Sequence, residues 1–207
     1  KQLDAVFSDL NVVAVKVGML ADSGIINVVA DKIEQYRPKF LVVDPVMVAT
    51  SGDMLLKAEA IATMKERLLP LADLITPNLS EGAALIQCNV PIIEAQMGFM
   101  IADLRALGAK AVLLKGGHLE GNPFSNDLLI EATSVQVIRA KRVNTNNTHG
   151  TGCTLSSAIA SYLAQGEPLL AAVEKAKVYI SSAIEHADQL NIGSGHGPVH
   201  HFYALTQ

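Results

Sequence analysis

Asn146-Asn147-Thr148-His149-Gly150-Thr151-Gly152-Cys153-Thr154-Leu155-Ser156-Ser157-Ala158 reads as a loop that approaches a ligand and then runs into a helix. Gly150 and Gly152 let the backbone turn tightly, and Leu155, Ile159, Tyr162 and Leu163 recur at helical spacing, so the helix begins at the glycines. The first turn of a helix carries backbone N–H groups without intrahelical partners and the positive end of the macrodipole, which together favour a bound phosphate. Cys153 falls beside that phosphate, where a helix N-terminus favours the thiolate, so it could accept a proton or attack a substrate. A short glycine motif also recurs by chance, and a capped turn with a small packing cysteine is the competing reading. The flanking chain decides between them.

Upstream, strand-like and helix-like runs alternate. Residues 12–17 are mostly β-branched and largely apolar, Gly18-Met19-Leu20 breaks them, and Ile25, Ile26, Val29, Ile33 and Tyr36 predict a helix. Phe40-Leu41-Val42-Val43 is a continuous apolar run of the kind covered on both faces, ended by Asp44-Pro45 and a loop over 48–53. Ala58, Ile61, Met64 and Leu68 form a helical stripe stopped at Pro70, and Leu74-Ile75-Thr76 predicts a strand stopped at Pro77. Helices are expected over 80–86 and 92–107, the latter closed by Gly108, then a strand over 111–114 ending in Lys115-Gly116-Gly117. Residues 128–131 and 135–138 alternate more and predict an edge hairpin. Downstream, a last helix is expected over about 170–190, then a flexible Gly193-Ser194-Gly195-His196-Gly197-Pro198 stretch leading to a docked tail.

This alternation predicts an α/β fold with a mostly parallel sheet and helices on both faces, in one domain spanning 1–207. Ligands of such sheets bind at the carboxyl ends of the strands. Gly18-Met19, Asp44, Thr76-Pro77-Asn78, Lys115-Gly116-Gly117 and the Gly150 loop should therefore share one rim. The chain opens at Lys1 without Met, already in a helical pattern of Leu3, Val6, Phe7 and Leu10, so its start is expected to be a truncation.

Composition narrows the function. Half of the 207 residues are hydrophobic, aromatics are 4% and Trp is absent, which suits an aliphatic interior better than a base-stacking surface. Sixteen Lys and Arg against 20 Asp and Glu give a net charge of −4, with no basic run beyond Arg139-Ala140-Lys141-Arg142, which argues against nucleic acid as partner. Cys88 and Cys153 stand in unrelated contexts without a CxxC pair, consistent with a reducing cytoplasm and with neither a disulfide framework nor a zinc ribbon. No stretch approaches the ~20 apolar residues of a membrane span, and no signal sequence opens the chain.

Asp44 at a strand end and Glu81 on the first turn of a helix are candidates to hold hydrated Mg2+, although Asn78-Leu79-Ser80-Glu81 equally has the spacing of a helix cap. Lys115 could reach a nucleotide phosphate, with Gly116 and Gly117 permitting close approach, or be a surface lysine beside a turn. The six histidines, including His118, show no ligand spacing, and both the Gly-Lys-Ser/Thr phosphate loop and the dinucleotide fingerprint are absent.

Taken in order, Gly18-Met19-Leu20, Asp44-Pro45-Val46-Met47, Ser51-Gly52-Asp53, Thr76-Pro77-Asn78-Leu79-Ser80-Glu81, Lys115-Gly116-Gly117-His118, the Asn147 to Ser156 loop and Gly195-His196-Gly197-Pro198-Val199 resemble the hydroxymethylpyrimidine/phosphomethylpyrimidine kinases of the ribokinase superfamily. The resemblance covers essentially the whole chain. It implies a ribokinase-like three-layer α/β/α fold, a homodimer, and ATP- and Mg2+-dependent phosphorylation of 4-amino-5-hydroxymethyl-2-methylpyrimidine and then of its monophosphate in thiamine biosynthesis. It implies an anion hole at Gly150, Gly152 and Cys153, with Cys153 as the base where related sugar kinases carry aspartate. It also implies nucleotide contacts from Asn78, Glu81, Lys115, Thr148 and Thr151, Mg2+ near Asp44 and Glu81, and Met19 lining the pyrimidine pocket.

Two departures accompany it: Thr50 stands where the family usually has Lys, and the family's N-terminal quarter, with its first strand and part of the pyrimidine pocket, has no counterpart. Pyridoxal kinase of the same superfamily is one alternative. A non-catalytic pyrimidine-phosphate binding module is another.

Overall fold

The computed structural model describes residues 1–47, 56–117, 119 and 121–205. The loop over 48–53, with Thr50 and Ser51-Gly52-Asp53, and His118 lie outside the described residues.

Six strands form one sheet in sequential order: β1 (Ala14–Val17), β2 (Phe40–Val43), β3 (Leu74–Ile75), β4 (Ala111–Lys115), β5 (Asp127–Glu131) and β6 (Val135–Ile138). The first four run parallel, and β5 and β6 complete the edge antiparallel, as the hairpin expectation required. The short apolar strands are two-sided. Leu41 and Val43 of β2, and Val112 and Leu114 of β4, enter one core, while Val42, Ala111 and Leu113 enter the other. Period-2 alternation inside an unbroken apolar run is what a strand covered on both faces needs.

On the first face pack α2 (Ser23–Tyr36), α3 (Ala58–Thr63), α4 (Leu79–Ile86) and α5 (Ile101–Arg105); on the second pack α6 (Thr151–Ala164) and α7 (Leu169–Glu185). An N-terminal helix, α1 (Gln2–Asp9), docks on α2 through a Phe7–Tyr36 ring stack and a Tyr36 hydroxyl donating to Asp4 at 2.9 Å.

Helices on the first face depart from simple periodicity. After α3 the chain widens into a π-turn over Met64–Leu68 and tightens over Leu69–Leu71, where Pro70 supplies no N–H to an α-helical ladder and Leu69 N–H bonds the Met64 carbonyl instead. The single helix expected over 92–107 is a 3-10 stretch, Glu94–Met100, joined to the short α5. Met97, Met100 and Leu104 are buried, but Ile92, Ile93 and Phe99 are exposed, so the segment's apolar residues do not all belong to one buried stripe. The last helix ends at Glu185 and only a tight turn, Ala187–Gln189, continues toward Leu190.

Candidate active site

The glycine loop launches α6 as its residue types demand. Gly150 is the N-cap with φ of 88°, a left-handed conformation that costs a side-chain-bearing residue roughly 1–2 kcal/mol. The Thr148 carbonyl accepts from Thr151 N–H at 3.2 Å and from Thr151 Oγ1 at 2.7 Å, closing the turn. Among the described residues the N–H groups of Gly152 and Cys153 have no protein acceptor, so they remain available to an anion.

The loop is held from behind by the tail. Asn147 Oδ1 accepts from Gly197 N–H at 2.8 Å while its Nδ2 donates to Asp188 at 2.8 Å, and His149 exchanges backbone bonds with Gly197 and Val199. Val199 and His200 are buried. The expected docked tail is thus part of the loop's support.

Three rim residues converge beneath the α6 N-terminus. Lys115 Nζ lies 3.0 Å from Asp44 Oδ1, which also accepts from Thr76 Oγ1 at 3.0 Å, and Ser156 Oγ donates to Asp44 Oδ2 at 3.3 Å. A Cβ on Gly152 would stand 3.3 Å from Lys115 Nζ, so the glycine admits the ammonium to the first turn of the helix. Asn78 and Glu81 form a capping box, with Glu81 Oε2 accepting from Asn78 N–H at 2.7 Å and Asn78 Oδ1 accepting from Glu81 N–H at 2.8 Å. Asn78 also bridges to Lys115 in the sheet.

The cap reading of Glu81 therefore holds, and the cap places its carboxylate at the rim. Burial raises the Glu81 carboxyl above its ordinary value, opposed by the Lys115 charge and the backbone N–H groups of Asn78 and Met47, and reinforced by the Asp44 charge. Two acids that feel each other beside an ammonium suit Mg2+, which takes one or two carboxylates and completes its shell with water and phosphate oxygens. Among the described residues no group of three or more His, Cys, Asp or Glu is close enough to share a metal. The histidines accordingly form no ligand cluster there.

Cys153 and Met19 are not part of that cluster. The Cys153 thiol is exposed and opens on a cleft of about 550 Å³ between α6, α7 and the tail, lined by Thr154, Ser157, Ser161, Tyr162, Tyr179 and His201 among others. Met19 follows the carboxyl end of β1 and is half-exposed.

Several supporting groups escaped the sequence reading. Ser156 and Thr76 stand within the loop and rim motifs, but nothing in those motifs signals that their hydroxyls hold Asp44. Arg142 donates to the carbonyls of Gly117, Leu119, Asn122 and Phe124 at 2.6, 2.7, 2.8 and 3.2 Å, tying these four residues together. In sequence it is the last residue of an unremarkable basic run.

A parallel strand rim with buried acids, an inward lysine and a glycine-launched helix defines a ribokinase-like α/β kinase. Comparison with known proteins narrows this. A family model described as phosphomethylpyrimidine kinase matches residues 1–200, and the chain belongs to that family. A curated hydroxymethylpyrimidine/phosphomethylpyrimidine kinase of Rhizobium meliloti is 50% identical over 98% of this chain and 75% of its own length. Among solved structures, an ADP complex of Bacillus subtilis pyridoxal kinase superposes with a TM-score of 0.90 at 30% identity, covering 100% of this chain and 76% of that one. Phosphomethylpyrimidine kinase from Clostridium difficile superposes with a TM-score of 0.76 at 40% identity, covering 88% of this chain and 74% of that one.

Proposed function

We propose that this chain transfers the γ-phosphoryl group of ATP to the hydroxyl of 4-amino-5-hydroxymethyl-2-methylpyrimidine and then to the resulting monophosphate, within thiamine biosynthesis. The observation that carries this reading is the free N-terminus of α6 standing over the Lys115–Asp44 pair.

In the first transfer the pyrimidine hydroxyl oxygen bonds the γ-phosphorus as the bond to the bridging oxygen of ADP breaks, and the hydroxyl proton passes to the sulfur of Cys153, which is exposed on the first turn of α6 beside the Lys115–Asp44 cluster rather than within it. The N–H groups of Gly152 and Cys153, launched by Gly150, meet the equatorial oxygens where charge is greatest. Lys115 neutralises the nucleotide phosphates, and Asn78, Thr148 and Thr151 line their path. Asp44 and Glu81 would hold Mg2+ through water. That ion, when bound, screens the charge on the phosphates being separated. Met19 lines the pyrimidine. One kinase domain acting as a cytoplasmic homodimer completes the reading, and its two free cysteines suit a reducing compartment.

The high TM-score to a pyridoxal kinase gives pyridoxal a place as second acceptor. ADP release from Mg-ATP, measured separately with the hydroxymethylpyrimidine, its monophosphate and pyridoxal, tests the reading: the two pyrimidines should drive release. A preference for pyridoxal would reassign the acceptor, and binding without release from any acceptor would leave a binding module. Cys153→Ser should lower turnover by about 10²-fold or more while nucleotide affinity is kept. Unchanged turnover would remove Cys153 from the base role.

A further inference from the structure

Lys115 ends β4, and Asp127, the first residue of β5, is its partner across the antiparallel ladder. Such partners stand on the same face with Cβ atoms roughly 4.5–5.5 Å apart. The Lys115 side chain therefore has two carboxylates within its span, Asp44 toward β2 and Asp127 on β5. It bonds Asp44, at 3.0 Å.

Asp127 is engaged elsewhere. Its Oδ2 accepts from Lys177 Nζ of α7 at 2.6 Å and its Oδ1 from Gly116 N–H at 3.0 Å, while Lys177 also donates to the Ser125 carbonyl at 2.8 Å. Both charged groups are buried. Desolvating two charges offsets most of their attraction, so a buried ion pair is weak evidence for a stabilising role. What the pair does accomplish is to complete an alternation of charge on this face, Asp44, Lys115, Asp127, Lys177, in which each carboxylate has its own ammonium.

We propose that Lys177 is a positioning residue for phosphoryl transfer: by occupying Asp127 it keeps that carboxylate from capturing the Lys115 ammonium, which stays turned to Asp44 and the first turn of α6. Removing Lys177 leaves Asp127 a buried anion whose cross-strand neighbour is Lys115, and an uncompensated buried charge recruits the partner within reach. The inference rests on the reading of Lys115 as a nucleotide-phosphate ligand.

The test is a double-mutant cycle on the full chain with two readouts, ADP affinity by calorimetry and the rate of Lys115 labelling by an amine-reactive reagent, read by peptide mass. Lys177→Met should weaken ADP binding about tenfold and slow Lys115 labelling several-fold. Adding Asp127→Asn should restore both to within about threefold of the parent, because a carboxamide still accepts from Gly116 N–H but does not trap an ammonium. A purely structural pair would give a double variant no better than Lys177→Met, and that result overturns the proposal. So would parent-like labelling in a folded Lys177→Met. Should Lys177→Met fail to fold, Asp127→Asn alone decides: ADP affinity and labelling within about threefold support the proposal, and a tenfold loss of affinity ends it. Labelling needs no nucleotide, so a parent protein that binds no ADP would defeat the kinase reading while leaving the Lys177 question answered.

Discussion

Strand β4 has a lysine at each end, and the two have opposite circumstances. Lys110, just before the strand, meets Asp73 at 2.7 Å with its side chain 77% exposed. Lys115, at the other end, meets Asp44 at 3.0 Å with its side chain 14% exposed and the carboxylate 2% exposed. The exposed pair is screened by water and contributes roughly 0–1 kcal/mol. The buried one must overcome desolvation of both partners, and its placement beneath a helix N-terminus, rather than any gain in stability, accounts for it. The same two residue types thus serve as surface solvation at one rim and as site chemistry at the other.

That contrast is broken most decisively by exchanging each lysine for Met. Lys115→Met should lower ADP release in the acceptor assay by about 10²–10³-fold, the scale of losing one preorganised charge-stabilising donor. Lys110→Met should stay within about twofold. Equal effects would show that the two rims do not differ in function.

The glycines flanking β4 sharpen the comparison. A Cβ on Gly116 would stand 2.2 Å from the Asn126 carbonyl oxygen, so Gly116→Ala must move backbone and should cost about 1–3 kcal/mol in urea unfolding. At the opposite rim Gly108 has φ of 86° with its nearest neighbour, Pro70 Cβ, at 3.5 Å, so Gly108→Ala meets only the left-handed strain of roughly 1–2 kcal/mol. Gly116→Ala should also impair nucleotide binding, and Gly108→Ala should not.

The smallest effect separates a buried acid from an exposed one. Glu81, raised from 4.5 by burial, holds its proton more tightly folded than unfolded, so its contribution to stability is full below about 4.5 and is lost as pH rises through the raised value. Asp4, lowered from 3.8 to about 2 chiefly by its bond with Lys32, contributes above 3.8 and loses that contribution as pH falls toward 2. In unfolding curves from pH 2 to 8, Glu81→Gln, which preserves the capping box, should flatten the slope above 4.5. Asp4→Asn should flatten it below 3.8.

Most of the architecture was legible because it rests on period and punctuation. The continuous apolar run at Phe40, the stops at Pro45 and Pro77, and Gly150 before Thr151 each constrain the backbone locally, and the mostly parallel sheet with helices on both faces followed, whereas the strand order comes from tertiary pairing. The 92–107 segment misled because hydrophobic content was read as one face, whereas Ile92 and Phe99 point to solvent. In the site, Asp44, Lys115 and Gly152 were legible as strand ends and a helix start. Ser156, Arg142 and the Asp127–Lys177 pair were not, since a hydroxyl, a guanidinium or an ion pair becomes informative only when tertiary contacts reveal its partner.

The sequential strand order also sets a calendar. Each strand after β1 pairs with the one made just before it, so the sheet and its first helical layer can grow in chain order as the chain emerges from the ribosome. The Ser156–Asp44 bond spans 112 residues and waits for α6. An incomplete chain would therefore hold its acids without the helix that governs them, and competence for chemistry would arrive only once α6 had been made.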